Sequence, residues 1–210
     1  MTDDLQRSYD AVAADYARNF RDELEHKPFD CKLLDWLIEK VGTKGTICDL
    51  GCGPGQIAAY LDARGAAVCG IDLSPVMVQQ AQILHPNISF QQGNMLALKD
   101  VSDDSYGGIA AFYSIIHVPR PQVVQAFREW WRVLRPGGVL LVTFHVGNEV
   151  IHRDDWWEKS VCLDFYFFQT EEMKDFLKEA DFVLEEVIER DPYSEVEYPS
   201  RRAYLFARKA

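Results

Sequence analysis

Apolar side chains in the first 20 residues fall at Leu5, Tyr9, Val12, Ala13, Tyr16, Ala17 and Phe20, mostly three or four positions apart. That spacing predicts an amphipathic helix with an unusually aromatic buried stripe. A second helix is predicted after Pro28, with Leu33, Leu34, Trp36, Leu37, Ile38 and Val41 apolar and Gly42 as its stop. From residue 46 onward short β-prone runs alternate with helical ones. Strands are predicted at 46–50, 67–71, 88–90, 109–113 and 139–144, and helices from 56 to about 64, from 74 to about 84 and from 121 to about 134. Ser74-Pro75 is a strong helix start, because serine caps and the missing proline N–H costs nothing in the first turn. Arg135-Pro136-Gly137-Gly138 predicts the turn that ends the last of these helices before the fifth strand.

Strands of continuous Val, Ile, Ala and Leu separated by helices imply a parallel sheet covered on both faces, an α/β architecture. The tail breaks the rhythm. A helix at 170–180 is followed by apolar runs at 182–189 and 202–208 with no helix between them, which predicts an antiparallel pair closing the sheet. No repeat, low-complexity tract or linker divides the chain, so residues 1–210 are read as one domain. Its helical cap covers 1–42, and an aromatic segment at 146–169 joins the fifth strand to the next helix. That connection is longer than such connections usually are and has the length of a lid or binding loop.

Composition narrows the partners. The chain has 33 acids against 22 bases, a formal charge of −11, and 48% hydrophobic positions. Nucleic-acid affinity comes largely from Lys and Arg neutralising phosphates, so this balance argues against a nucleic-acid partner. Eight of the net negative charges lie in residues 171–197, with eleven acids and three bases, which reads as a solvated surface away from the glycine-rich turn. The five cysteines, Cys31, Cys48, Cys52, Cys69 and Cys162, form no C-x-x-C pair and fit reduced thiols better than a disulfide frame or a metal site. The polar opening MTDDLQRSYD lacks the apolar core of a signal peptide and no run is long enough to span a membrane, so a cytoplasmic chain without membrane insertion, monomer or homodimer, is expected.

The chemistry starts at the first strand, which runs into Asp49-Leu-Gly-Cys-Gly-Pro-Gly55 and then a helix. Glycines there let backbone approach a nucleotide-like ligand. A dinucleotide fingerprint beginning at Gly51 needs glycine at position 56, which is Gln56. Asp49 would repel a pyrophosphate but would attract an amino-acid ammonium group. Asp72, at the end of the next strand, stands where a carboxylate accepts both ribose hydroxyls. Ammonium plus ribose points to S-adenosylmethionine.

Three segments carry a resemblance: Asp49–Gly55, Gly70-Ile-Asp72-Leu-Ser74, and Arg132-Val-Leu-Arg-Pro-Gly-Gly138. With them the chain resembles the class I S-adenosylmethionine-dependent methyltransferases, in the small-molecule group that includes ubiquinone and menaquinone biosynthesis enzymes. Tyr9–Phe20 is similar to that group's opening helix, whose aromatic face covers the cofactor. The resemblance implies a Rossmann-like three-layer sandwich with a seven-stranded, mostly parallel sheet whose last strand is antiparallel. It implies that Asp49, Gly51, Cys52 and Gly53 hold the methionyl part of the cofactor, that Asp72 and Leu73 meet the ribose, that Asn94 and Met95 meet the adenine, and that Tyr9, Tyr16 and Tyr113 complete the site. Two positions depart from the family pattern: Asn94 replaces a common acid, and Tyr106-Gly107 replaces Phe-Asp, so position 107 is left outside the site.

Methyl transfer by in-line displacement needs alignment above all, and a general base only when the acceptor must lose a proton. His117, just past the fourth strand, is the candidate base. In the long connection His145, Trp156 and Trp157 are the candidate acceptor contacts, suited to a flat, apolar or cationic small molecule. Trp130 and Trp131 read as packing, and Asp191-Pro-Tyr193 as a turn rather than an amino-methylation motif. The function expected is methyl transfer from S-adenosylmethionine to a small-molecule acceptor with release of S-adenosylhomocysteine. A non-catalytic binding module for the same cofactor, or a methyltransferase for protein or nucleic acid, remains an alternative.

Overall fold

The structure, a computed structural model, describes residues 2–210; Met1, within the expected cap, lies outside them. The aromatic amphipathic stretch forms α1 (Thr2–Phe20). Pro28 opens α2 (Pro28–Val41), and Gly42, at φ +55°, ends it in a conformation that favours glycine. The alternating core follows as β1 (Ile47–Leu50), α3 (Gln56–Asp62), β2 (Val68–Asp72), α4 (Pro75–Leu84), β3 (Ser89–Gln92), β4 (Tyr106–Phe112), α5 (Arg120–Val133) and β5 (Leu134–His145). Ser74 caps α4 by accepting from the Met77 N–H at 3.0 Å.

Seven strands form the main sheet in the order β3-β2-β1-β4-β5-β9-β8, where β8 is Phe182–Arg190 and β9 is Arg202–Lys209. β1 through β5 pair in parallel, and β9 runs antiparallel to both β5 and β8, as the tail pattern predicts. The two faces separate by strand periodicity. Leu140, Val142 and Phe144 of β5 pack with Phe127 and Trp130 of α5. Val139 and Leu141, one position out of phase, pack with Leu34 and Leu37 of α2. The sheet order reverses between β1 and β4, and the crevice beyond their carboxyl ends is where open α/β sheets take ligands.

Three sequence expectations are corrected. Residues 135–138 do not form a separate turn, because β5 already starts at Leu134 and its pairing with β4 is interrupted between Tyr106↔Leu134 and Gly108↔Val139. The long aromatic connection is not an open loop. It folds into a second, two-stranded sheet, β6 (Val150–Trp156) and β7 (Lys159–Tyr166), which lies on α1 through Val161, Leu163 and Val12. The acidic tail is only partly solvated surface: the Glu197 side chain is 1% exposed and pairs with Arg190 at 2.7 Å, and Glu185 bridges Lys40 and Arg208.

Candidate active site

At the carboxyl end of β1 the chain turns through Gly51, Gly53 and Gly55, all at positive φ. Gly51 is required by space as well as by φ, since a Cβ there would stand 2.3 Å from the Ser114 Cβ. Ser114 is fixed in turn by donating to the Leu50 carbonyl at 2.7 Å, which ties the β1 turn to the end of β4. Asp72 ties the same turn to β2. Its Oδ2 accepts from the Gly53 N–H at 2.8 Å and its Oδ1 from the Ser74 N–H at 2.9 Å, leaving lone pairs on both oxygens. Burial, with Asp10 nearby, raises its pKa to about 6 despite these bonds.

Asp49 is 1% exposed and accepts from the Ala58 N–H at 3.1 Å, inside the first turn of α3. It supplies the helix with the side-chain acceptor that Gly55, at the N-cap, lacks. Burial pushes its pKa up to about 8, and Asp72 and Glu23 add to the rise. Asp49, Glu23 and Gln56 line a small cavity behind the turn. Gln56 donates to Glu23 at 2.8 Å while its own Oε1 is buried with no partner among the described residues, an acceptor without a donor.

The larger cavity runs from Gly51 and Asp72 past Leu73 to Asn94 and Met95, with α1 as its roof. Asn94 Oδ1 already accepts from the Leu96 N–H at 2.9 Å, so the amide that replaces the family's acid is half committed to its own turn. Trp130 is wholly buried and its Nε1 donates to the Met95 carbonyl at 3.0 Å, so its packing role also holds this turn in place. Cys52 lines the small cavity with Asp49 and Gln56 and packs with Val78 and Phe90 beneath the turn.

A second cavity lies under the β6–β7 hairpin, with Phe20, His145, Trp156, Phe165 and Phe167 among its walls. The two large cavities share Tyr9, Tyr16, Tyr113 and His117. His117 Nδ1 lies 3.0 Å from the Asp164 carbonyl, which has no hydrogen to give, so Nδ1 carries the proton. Its Nε2 then accepts from the Tyr9 hydroxyl at 2.6 Å. Burial lowers the His117 pKa to about 4, so the ring is neutral at ordinary pH. Tyr113 holds φ +50°, a strained setting for a bulky residue at the end of β4, and its hydroxyl is 3.1 Å from that of Tyr204. His145 hydrogen-bonds Ser200 Oγ at 2.8 Å and stacks on Phe167, and burial takes its pKa to about 3.

The two tryptophans separate. Trp156 lines the second cavity and meets Tyr16 edge-on at 5.8 Å, whereas Trp157 stacks behind Trp156 and covers Phe20 from outside the cavity. Residues that the sequence reading missed include Asp10, which accepts from Ser74 at 2.5 Å and joins α1 to α4, and Arg202 and Glu197, which line the second cavity.

Residues 47–138 match the family model of a methyltransferase domain. The matched segment holds β1 through the start of β5, with the glycine turn, Asp72, Asn94 and His117 inside it. The chain is 32% identical over 110 residues to a ubiquinone biosynthesis O-methyltransferase of Pseudomonas fluorescens, an overlap of 50% of this chain and 47% of that protein. It thus spans about half the length of the curated relatives it matches. In fold it resembles magnesium protoporphyrin IX methyltransferase of Synechocystis, solved with bound S-adenosylmethionine, with a TM-score of 0.74 at 17% identity over 100% of this chain and 97% of that one. A S-adenosylmethionine-dependent methyltransferase of Methanosarcina mazei gives 0.73 at 17% identity, over 82% and 96%.

The residues around the glycine turn fit S-adenosylmethionine on their own chemistry. Asp49 and the partnerless Gln56 Oε1 suit an ammonium group, the bare Gly51 backbone gives close approach, and Asp72 keeps lone pairs for two hydroxyls.

Proposed function

We propose that the protein transfers a methyl group from S-adenosylmethionine to a small-molecule acceptor at the junction of the two cavities. The observation that carries this reading is that Tyr9, Tyr16, Tyr113 and His117 belong to both cavities at once, so a donor on one side and an acceptor on the other meet across them. When bound, S-adenosylmethionine supplies an activated methyl that is displaced in line, and alignment and exclusion of water do most of the work. Gly51, Gly53, Asp49 and Gln56 bind the amino-acid end. Asp72 and Leu73 take the ribose, and Asn94 and Met95 the adenine. Tyr9 and Tyr16 close the site from α1, and their ring faces suit a sulfonium.

On the acceptor side, Trp156, Phe165 and His145 form flat walls suited to a planar molecule. A small acceptor is favoured over a macromolecule because α1 and the hairpin roof both cavities. Where the acceptor must lose a proton, the Tyr9 hydroxyl receives it as its own proton passes to His117 Nε2. The names of the relatives, an O-methyltransferase among them, support an oxygen acceptor. Calorimetry with S-adenosylmethionine, S-adenosylhomocysteine and NAD tests the cofactor, and binding of NAD alone overturns it. A screen of phenols, amines, carboxylates and thiols, read by release of S-adenosylhomocysteine, tests the transfer.

A further inference from the structure

Behind Tyr113 runs a row of hydrogen bonds whose direction is fixed from its far end. Asp30, 1% exposed in the first turn of α2, faces Arg190 at 3.0 Å, so its carboxyl is held ionised although burial raises its pKa. An ionised carboxyl only accepts, and the Tyr204 hydroxyl donates to it at 2.6 Å. Tyr204 is wholly buried and has then used its one hydroxyl hydrogen, so across the 3.1 Å contact Tyr113 donates and Tyr204 accepts. Tyr9 ends in the same state. Its hydrogen goes to His117 Nε2 at 2.6 Å, because Nδ1 carries the ring proton. Both phenols keep their protons, since burial pushes each pKa above its usual value.

Tyr9 and Tyr113 belong to both large cavities, and each brings to them an oxygen whose hydrogen is committed elsewhere. Such an oxygen accepts and does not donate. A carboxylate or an ether against it sets lone pair facing lone pair, whereas a neutral hydroxyl supplies the missing hydrogen. Tyr16, the third shared tyrosine, sits instead against the glycine turn, where a Cβ on Gly53 would stand 3.8 Å from its ring. Tyr113 is gripped at both ends by one cross-strand pair. Thr143 of β5 lies opposite Tyr204 of β9; the Thr143 hydroxyl accepts from the Tyr113 N–H at 2.9 Å while Tyr204 takes the Tyr113 hydroxyl. That grip holds Tyr113 at φ +50° against the strain of the left-handed region.

Resting on the methyl-transfer reading above, we infer that Asp30 and Tyr204 are positioning residues. They turn the Tyr113 hydroxyl hydrogen away from the junction, so that Tyr113 together with Tyr9 selects an uncharged planar acceptor that offers a hydrogen from the atom to be methylated.

The test uses the whole chain in two stages. S-adenosylhomocysteine is titrated first; if it does not bind, the methyl-transfer reading itself fails and the selection falls with it. The saturated protein is then titrated with 2-naphthol, its ether 2-methoxynaphthalene, and isoquinoline N-oxide, flat bicyclic molecules of which only the naphthol has a hydroxyl hydrogen to donate. The naphthol should bind at least about tenfold more tightly than either of the others. Tyr204→Phe should strengthen isoquinoline N-oxide about tenfold, because the freed Tyr113 hydrogen turns to the cavity, while S-adenosylhomocysteine affinity stays within about threefold. A purely structural role for Tyr204 would weaken all these ring ligands alike, and that result overturns the positioning role. Equal binding of naphthol and its ether, or no binding of naphthol to the saturated protein, overturns the selection and leaves the cofactor assignment standing. Should Tyr204→Phe fail to fold, Tyr113→Phe takes its place: the naphthol-to-ether ratio should fall at least about threefold, and an unchanged ratio removes Tyr113 from the selection.

Discussion

The glycine turn after β1 and the cavity under the β6–β7 hairpin face each other across the same four side chains, yet they hold their polar groups in opposite states. Around the turn acceptors are in surplus. Asp49 and Asp72 are carboxyls raised by burial, and Gln56 Oε1 has no donor. Under the hairpin, Glu23 pairs with Lys27 and Glu197 with Arg190 and Arg202, while Arg153 lies over the Trp156 ring. A region short of donors suits a cation, whereas a region whose buried charges are paired leaves its aromatic faces to meet a ligand. The net charge of −11 shows neither preference, because it sums over surface groups that meet no ligand.

The largest expected effect breaks the turn. Gly51→Ala should abolish S-adenosylhomocysteine binding, because the added carbon meets Ser114 at 2.3 Å and the residue sits at φ +78°. Gly65→Ala is the control: its φ is +82° but nothing lies within 4 Å of the added carbon, so chemical denaturation should register only the left-handed backbone penalty of about 1–2 kcal/mol. Asp72→Ala comes next and should weaken S-adenosylhomocysteine about 100-fold by calorimetry, through loss of charge-assisted acceptors worth about 1.5–3 kcal/mol each. An unchanged affinity removes Asp72 from the site.

Tyr9→Phe acts at the junction. It deletes the donor to His117 and should lower kcat about 10–100-fold with an acceptor that loses a proton, while S-adenosylhomocysteine affinity stays within about threefold. A loss confined to cofactor affinity would make Tyr9 only a cover. The smallest effect is a proton count. Burial favours the protonated forms of Asp49 and Asp72, so their stabilising contribution is lost as pH rises from the usual carboxylate range through about 6 for Asp72 and about 8 for Asp49. A bound ammonium reverses that preference. Binding of S-adenosylhomocysteine at pH 7 should therefore release up to about one proton, chiefly from Asp49, and affinity should climb until about pH 8. Calorimetry in buffers of different ionisation enthalpy measures the release, and Asp49→Asn should suppress it. His117 and His145, with pKa values near 4 and 3, stay neutral above pH 5. Acceptor affinity that titrates between pH 5 and 7 in saturated protein, with an acceptor that has no group ionising there, would erase the contrast between the two walls.

How far each wall was legible follows from sequence separation. Asp49, Gly51, Gly53 and Asp72 lie within 24 residues, on two adjacent strands and the turn that follows the first, so the spacing along the chain is nearly the spacing in the site. The acceptor wall has no such local code. Tyr9 meets His117 across 108 positions, and Arg190 meets Asp30 across 160. The hairpin escaped notice because its turn, Trp157-Glu158, takes φ +51° and +61° without the glycine or asparagine that usually marks such turns. It is held instead by Trp156 and Leu163 packing on α1. Asn94 lines the larger cavity, but its commitment to Leu96 is a matter of local geometry that residue type alone does not reveal.

By itself the sequence determined the alternation of strands and helices, the antiparallel close of the sheet and the acid-flanked glycine turn, because hydrophobic periodicity and glycine conformation act over a few neighbouring residues. Only the tertiary structure decided which histidine nitrogen carries the proton, that Trp156 rather than Trp157 faces the cavity, and that Arg202 pairs with Glu197 beneath the hairpin. Those outcomes depend on burial and on hydrogen bonds between groups that the chain brings together only when the sheet, α1 and the hairpin close on one another.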